Sequence, residues 1–132
     1  MRAIVIMVSV VVTLFIPAVA ADPSYETISR CFFVYAPIAQ VGRDRPHAEL
    51  FQFGQARAAW IGGYLQANKS NSAFKQVFEG NLEKNKQAGI QIENVLVRAL
   101  NTKDQSRFSW AINQAISCDR LIGIKTEFLP KL

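Results

Sequence analysis

The stretch YETISRCFFVYAPIA, residues 25–39, carries the pattern that predicts an all-α fold. Its apolar side chains recur every three or four positions, as they do on one face of an α-helix, and Cys31 lies beside that stripe. The stripe consists of Tyr25, Ile28, Phe32, Tyr35 and Ala39. The chain shows no convincing alternation of apolar and polar residues with period two, the pattern of a half-buried strand. We therefore expect helices and no sheet.

Two residues bear on where this first helix bends or ends. Pro37 has no backbone N–H to give to the helix, so we expect a kink or an end there. Gly42 is expected to terminate the helix, because glycine readily adopts the left-handed conformation that follows many helices.

A second helix is predicted over residues 46–67, with an apolar stripe in which Arg57 stands beside Ala58. Gly54, Ala58 and Gly62 are spaced four apart on a neighbouring face, where small side chains let another helix approach closely. Glycine also weakens helices, so a break at Gly62 and Gly63 stays open.

The loop at residues 68–72 separates this helix from the next, with Ser72 as the expected cap. Residues 72–101 fit one long helix, or two helices joined near Gly89. A last main helix follows and stops at Gly123. Four to five helices in this length predict a compact antiparallel bundle, and residues 21–132 are expected to form its single domain.

The first twenty residues have the order of a secretory signal peptide. Arg2 precedes an apolar run, Pro17 breaks that run, and small residues at positions 18–20 suit cleavage after Ala20. The alternative is a retained membrane anchor, since the uncharged stretch is near the minimum length for spanning a bilayer. We expect cleavage and an exported protein, either periplasmic or secreted.

Export changes the interpretation of the two cysteines. In an oxidising compartment Cys31 and Cys118 most simply form one disulfide, which would join the first helix to the last. In the chain-entropy model a loop of this length stabilises the fold by about 4–5 kcal/mol. The alternative is two separate buried thiols.

The residue inventory excludes many chemistries. His47 is the one histidine, so a Ser-His-Asp triad or a histidine-rich zinc site cannot easily be built. No nucleotide-binding glycine motif and no haem-attachment motif occurs. We expect no catalytic residues, no metal and no cofactor. Glu79 and Glu83 would share a helix face, but Lys75 and Lys86 flank them, so surface ion pairs are expected.

The chain has 15 Lys and Arg residues against 10 Asp and Glu, a formal charge of +5. The basic residues are interleaved with acids and amides, which is unlike a nucleic-acid interface, so no nucleic-acid partner is expected. Arg43, Arg45 and His47 form the first candidate surface contact.

Aromatic residues supply the second candidate contact. Phe33 and Phe51 lie off the main apolar stripes, so one or both rings could be exposed to a partner. Trp60 and Trp110 are expected in the core or at its edge.

These features predict an exported, non-enzymatic binding or structural accessory protein. Its partner would be an unidentified protein or an envelope surface, and it would contact a membrane only if the N-terminal segment were retained. The alternatives are a carrier of a small apolar ligand inside the bundle, a disulfide-locked periplasmic stress protein, or a weak enzyme that acts through carboxylates.

Overall fold

In the computed structural model, which describes residues 23–132, the chain forms five α-helices. They are α1 (Tyr25–Asp44), α2 (Ala48–Asn68), α3 (Ser72–Gly80), α4 (Leu82–Thr102) and α5 (Gln105–Ile122). No strand occurs within the described residues, so the predicted all-α class is confirmed. The predicted signal peptide at residues 1–20 lies outside them.

α1 is the central helix and packs against each of the other four. The position of Gly42 against Phe51, and of Ala39 against Gly54, shows that α2 runs antiparallel to α1. Because α1 has neighbours on several sides, it buries residues outside its main stripe, including Val34. Its central place explains why its sequence is apolar around much of its circumference.

The predicted disulfide is confirmed. Cys31 on α1 is bonded to Cys118 on α5, with 5.6 Å between their Cα atoms. Both cysteines are buried in a core contributed by all five helices. The fully buried side chains of that core include Ile28, Tyr35, Ile38, Leu50, Phe53, Ile61 and Leu96.

Two glycines allow the backbones of α1 and α2 to touch. A Cβ atom added to Gly42 would lie 2.4 Å from the backbone nitrogen of Phe51, and one added to Gly54 would lie 2.4 Å from that of Ala39. The prediction that Gly54 marks a close helix contact is therefore confirmed. The same prediction is wrong for Gly62, where an added Cβ meets no atom within 4 Å.

The expected end of α1 at Gly42 is wrong, because this glycine serves the contact with α2 and stays helical. The helix continues through Pro37 to Asp44, and the Arg45 N–H donates to the Val41 carbonyl. Gly123 does end α5 in the left-handed conformation, with φ of 79°, as predicted.

Residues 72–101 contain two helices, but the junction lies at Asn81 and Gly89 is inside α4. Ser72 is not the cap of α3. Asn71 takes that place, and its side chain accepts the Phe74 N–H at 3.0 Å. α2 runs without a break through Gly62 and Gly63.

The two tryptophans are not core residues. Trp60 is 42% exposed and Trp110 is 38% exposed, because each lies on the outer face of its helix. The C-terminal tail, residues 124–132, covers part of the bundle surface. It returns over α2, where the Phe128 ring meets the Phe53 ring edge to face and the Lys131 N–H donates to Glu49.

Candidate functional site

An open groove runs between α1 and α4 and has a volume of about 250 Å³. Its apolar lining comes from Phe32, Phe33 and Pro37 on α1 and from Gly89 and Ile90 on α4. Ile90 is 46% exposed, although it is a large aliphatic residue. The groove therefore offers apolar surface that the described residues leave in contact with solvent.

Two residues that usually weaken helices, Pro37 and Gly89, line the groove. Pro37 has no N–H, so the Phe33 carbonyl lacks its usual helical donor. A Cβ added to Gly89 would lie 2.9 Å from that same carbonyl oxygen. Glycine at position 89 thus lets the α4 backbone lie directly against the α1 backbone at the floor of the groove.

Aromatic packing fixes the α1 side of the groove. The Phe32 and Phe33 rings meet edge to face at 5.0 Å, and Phe78 of α3 lies 6.2 Å and 6.0 Å from them. Edge-to-face and tilted pairs of this kind stabilise by about 0.5–1.5 kcal/mol beyond their area. The three rings form a supported wall of half-buried aromatic surface.

The rim of the groove carries opposite charges at its two ends. Lys86 and Glu93 both line it, and they are separated by two turns of α4, about 10 Å along the axis. Lys86 lies 3.5 Å from Glu83 in an exposed pair that water screens strongly. The groove is consequently apolar in the middle, basic at one end and acidic at the other.

A second feature is a buried ion pair between α2 and α5. The Arg57 guanidinium donates from Nε to Asp119 Oδ1 at 2.8 Å and from Nη2 to Oδ2 at 2.6 Å. The side chains of Arg57 and Asp119 are only 7% and 1% exposed. A planar guanidinium matched to a carboxylate in this two-bond geometry is among the strongest polar contacts in proteins.

Two hydroxyl groups complete the hydrogen bonds of Asp119. The Tyr35 phenol donates to Oδ1 at 2.8 Å, and Thr126 in the tail donates to Oδ2 at 2.7 Å. Arg57 also donates to the Phe53 carbonyl at 2.9 Å and stacks on the Phe53 ring at 3.6 Å. Burial raises the pKa of the Tyr35 phenol, and its hydrogen bond to Asp119 raises that pKa further.

This network has the properties of a structural element. No buried side-chain nitrogen or oxygen of the described residues lacks a hydrogen-bond partner. Every polar group around Asp119 is thereby committed to another protein group. Removing one partner of such a pair leaves the other charge buried, which costs about 3–5 kcal/mol.

The contact residues predicted from the sequence have different surroundings in the structure. His47 caps α2, where its Nδ1 accepts the Leu50 N–H at 3.1 Å. Arg43 lies 3.6 Å from Asp44, whereas Arg45 reaches α4 and donates to Asn101 at 2.7 Å. The three residues thus lie at the junction of α1 and α2, but each has a different partner.

The two candidate phenylalanines are also separated. Phe33 lines the groove, while Phe51 is half-buried beside the contact of α1 with α2 and does not line it. The carboxylates Glu79 and Glu83 lie on two different helices, so the expected shared face is wrong. Their expected ion pairs are found, with Lys75 at 3.9 Å and Lys86 at 3.5 Å.

Sequence reasoning missed the buried ion pair and the groove. An arginine within the apolar stripe of α2 was the signal for a buried cation, and Asp119 next to a buried cysteine was the signal for its partner. The groove had no comparable signal, because Pro37 and Gly89 lie 52 residues apart and act only together.

Neither a family model, nor a curated protein, nor a solved structure matches this chain. Residues 23–132 contain no group of three His, Cys, Asp or Glu side chains placed to hold a metal ion. Among the helices of this region, none has the length and apolar character needed to cross a bilayer.

Proposed function

We propose that this chain is an exported accessory protein that binds a protein partner through the groove between α1 and α4. The observation that carries the proposal is the combination of exposed Ile90 with the supported Phe32–Phe33 wall. Exposed apolar surface in a concave site is typical of places where a partner inserts an anchoring side chain.

The charges of the rim define the partner's chemistry. A partner segment that suits the groove has an apolar anchor, with an acidic residue toward Lys86 and a basic residue toward Glu93. A helix or an extended strand can supply this pattern. The rim charges select the direction of binding, and the apolar centre supplies most of the affinity.

Export is supported by the disulfide and by the signal-peptide pattern of residues 1–20. Disulfides persist mainly in oxidising compartments, and this one joins the central helix to the last helix of the bundle. The carrier, stress-protein and carboxylate-enzyme alternatives stay predictions, since no further observation favours any of them.

A peptide-display selection against the folded protein tests the proposal. We expect enriched peptides to carry one large apolar residue flanked by an acidic and a basic residue about 10 Å apart. Ile90→Glu should abolish binding of the enriched peptides, because it places a charge at the apolar centre.

The matched control is Leu121→Glu, which introduces the same side chain at a similarly exposed apolar site on α5. It should leave peptide binding unchanged. The proposal fails if the two variants bind the peptides equally, or if the selection enriches peptides without an apolar anchor.

A further inference from the structure

Besides the residues that line the groove, α4 has a face of amide and guanidinium side chains. Its residues follow one another at spacings of four and three, which keeps them on one side of the helix. They are Gln87, Gln91, Asn94, Arg98 and Asn101, and all five are exposed. We call these five residues the α4 polar face.

Two neighbouring concavities lie along the α4 polar face. The first has a volume of about 320 Å³ and is closed on one side by Arg107 of α5. The second has a volume of about 570 Å³ and is bounded by Arg45 and Glu93. Asn94 and Arg98 line both, so they form the ridge between the two concavities.

The fold brings three arginines here from distant parts of the sequence, together with the carboxylates of Glu93 and Asp104. Arg45, in the turn after α1, donates to Asn101 at 2.7 Å and is thereby held beside the end of α4. Arg107 is paired with Asp104 at 2.8 Å. Arg98 forms no ion pair with any carboxylate of residues 23–132. Arg98 is therefore available to a ligand, and the charge of Arg45 is likewise not neutralised, because its partner Asn101 is an uncharged amide.

We propose that the α4 polar face binds a phosphorylated polyol, such as a sugar phosphate or the phosphate-bearing headgroup of a lipid. A guanidinium group matches two phosphate oxygens at once, and Arg98 can do so from the ridge between the concavities. The amides of Asn94 and its neighbours both donate and accept hydrogen bonds, as hydroxyl groups require.

The other lining residues narrow the class of ligand. Glu93 repels a bare anion but accepts a hydrogen bond from a hydroxyl group, so it favours a polyol over inorganic phosphate. Neither concavity is lined by an aromatic residue on which a nucleobase could stack. This site adjoins the groove: Ile90 lines both the groove and the first concavity, and Glu93 lines both the groove and the second. The aromatic wall of the groove is not part of it, because Phe33 lines neither concavity.

Glucose 6-phosphate is the soluble probe, titrated into the protein while backbone amide chemical shifts are recorded. The expected shifts cluster at residues 87–102 and around Arg45, and glucose at equal concentration should not produce them. Arg98→Gln should weaken binding about tenfold or more, because it removes the charge-assisted hydrogen bonds of the ridge.

The matched control is Arg120→Gln, which removes the same charge about 20 Å along α5 from Arg107. It should change the affinity less than about twofold if binding depends on the site and not on net charge. Equal weakening by both substitutions would overturn the proposal, as would equal shifts with glucose and glucose 6-phosphate.

Vesicles distinguish the two sources of the phosphate. Co-sedimentation with phosphatidylcholine vesicles is compared with and without phosphatidylglycerol. Binding only to the phosphatidylglycerol vesicles, lost in Arg98→Gln and without shifts from glucose 6-phosphate, identifies a membrane headgroup. Binding of glucose 6-phosphate alone identifies a soluble ligand, and absence of binding to both probes contradicts the proposal.

Discussion

At the scale of single residues, the Arg57–Asp119 pair shows how a charge is accommodated in a small helical core. Arg57 meets the carboxylate with two hydrogen bonds, and Tyr35 and Thr126 satisfy the remaining acceptor positions. Asp119 directly follows Cys118, so the network and the disulfide hold the same segment of α5 against α1. A covalent link and a polar network thus reinforce one contact.

Tyr35 should make the stability of the fold depend on pH in the alkaline range. The pKa of Tyr35 is raised in the folded state above its value of about 10 in the unfolded chain. Its contribution to the free energy of unfolding is therefore fully present below about pH 10 and is lost as the pH rises above that value. We expect the stability advantage of the wild type over Tyr35→Phe to fall by about 1.4 kcal/mol per pH unit above that value. Urea unfolding of both proteins from pH 8 to 11.5 measures this difference.

The comparison with Tyr35→Phe isolates one phenol, because all other titrating groups are present in both proteins. A difference in unfolding free energy that stays constant up to pH 11.5 would show that Tyr35 ionises equally in both states. That result would contradict the effect of burial and of the Asp119 hydrogen bond described above.

At the scale of helices, glycine has two opposite roles in this molecule. Gly89 lies against the Phe33 carbonyl and is required for the contact of α4 with α1, whereas Gly63 borders open space. Helix propensity treats the two positions alike, since glycine weakens either helix by about 1 kcal/mol relative to alanine. Tertiary contact alone separates them.

Alanine substitutions at these two positions should therefore change stability in opposite directions. Gly89→Ala should lower the free energy of unfolding by about 1–3 kcal/mol, because a backbone carbonyl must move to admit the methyl group. Gly63→Ala should raise it by about 0.5–1 kcal/mol through helix propensity. The shift of the denaturant midpoint, at an unchanged dependence of the unfolding free energy on denaturant concentration, measures both changes. A Gly89→Ala variant more stable than the wild type would disprove the close contact.

At the scale of the whole molecule, the disulfide closes most of the described chain into one loop. Cys31 and Cys118 are 87 positions apart, and the loop between them contains all of α2, α3 and α4, together with most of α1 and of α5. Such a link restricts the unfolded ensemble much more than it changes the packed core.

Replacing both cysteines by serine should lower the free energy of unfolding by about 4–5 kcal/mol while the helical content is kept. Circular dichroism during thermal unfolding of the variant, compared with the wild type in oxidising and in reducing buffer, measures this effect. The reduced wild type is the control and should resemble the variant. Equal stability of the oxidised and reduced wild type would contradict a stabilising role.

The positions of the main helices and the pairing of the two cysteines follow from the sequence. Apolar periodicity is a local property, so α1, α2 and α5 could be located from their stripes, and Gly123 ended α5 as its residue type predicts. Two cysteines also leave a single possible intramolecular pairing. Helix ends were predicted less well. Gly42 and Gly89 were expected at helix boundaries, but both lie inside helices, where they let a neighbouring backbone approach closely.

The partners of the buried charges and the shape of the surface follow instead from the way the helices pack. Arg57 and Asp119 are 62 residues apart, and no local pattern relates two positions on different helices. The groove likewise brings Pro37 together with Gly89, and the second concavity beside the α4 polar face brings Arg45 to Asn101. Each arrangement depends on how helices pack, which is a property of the whole fold.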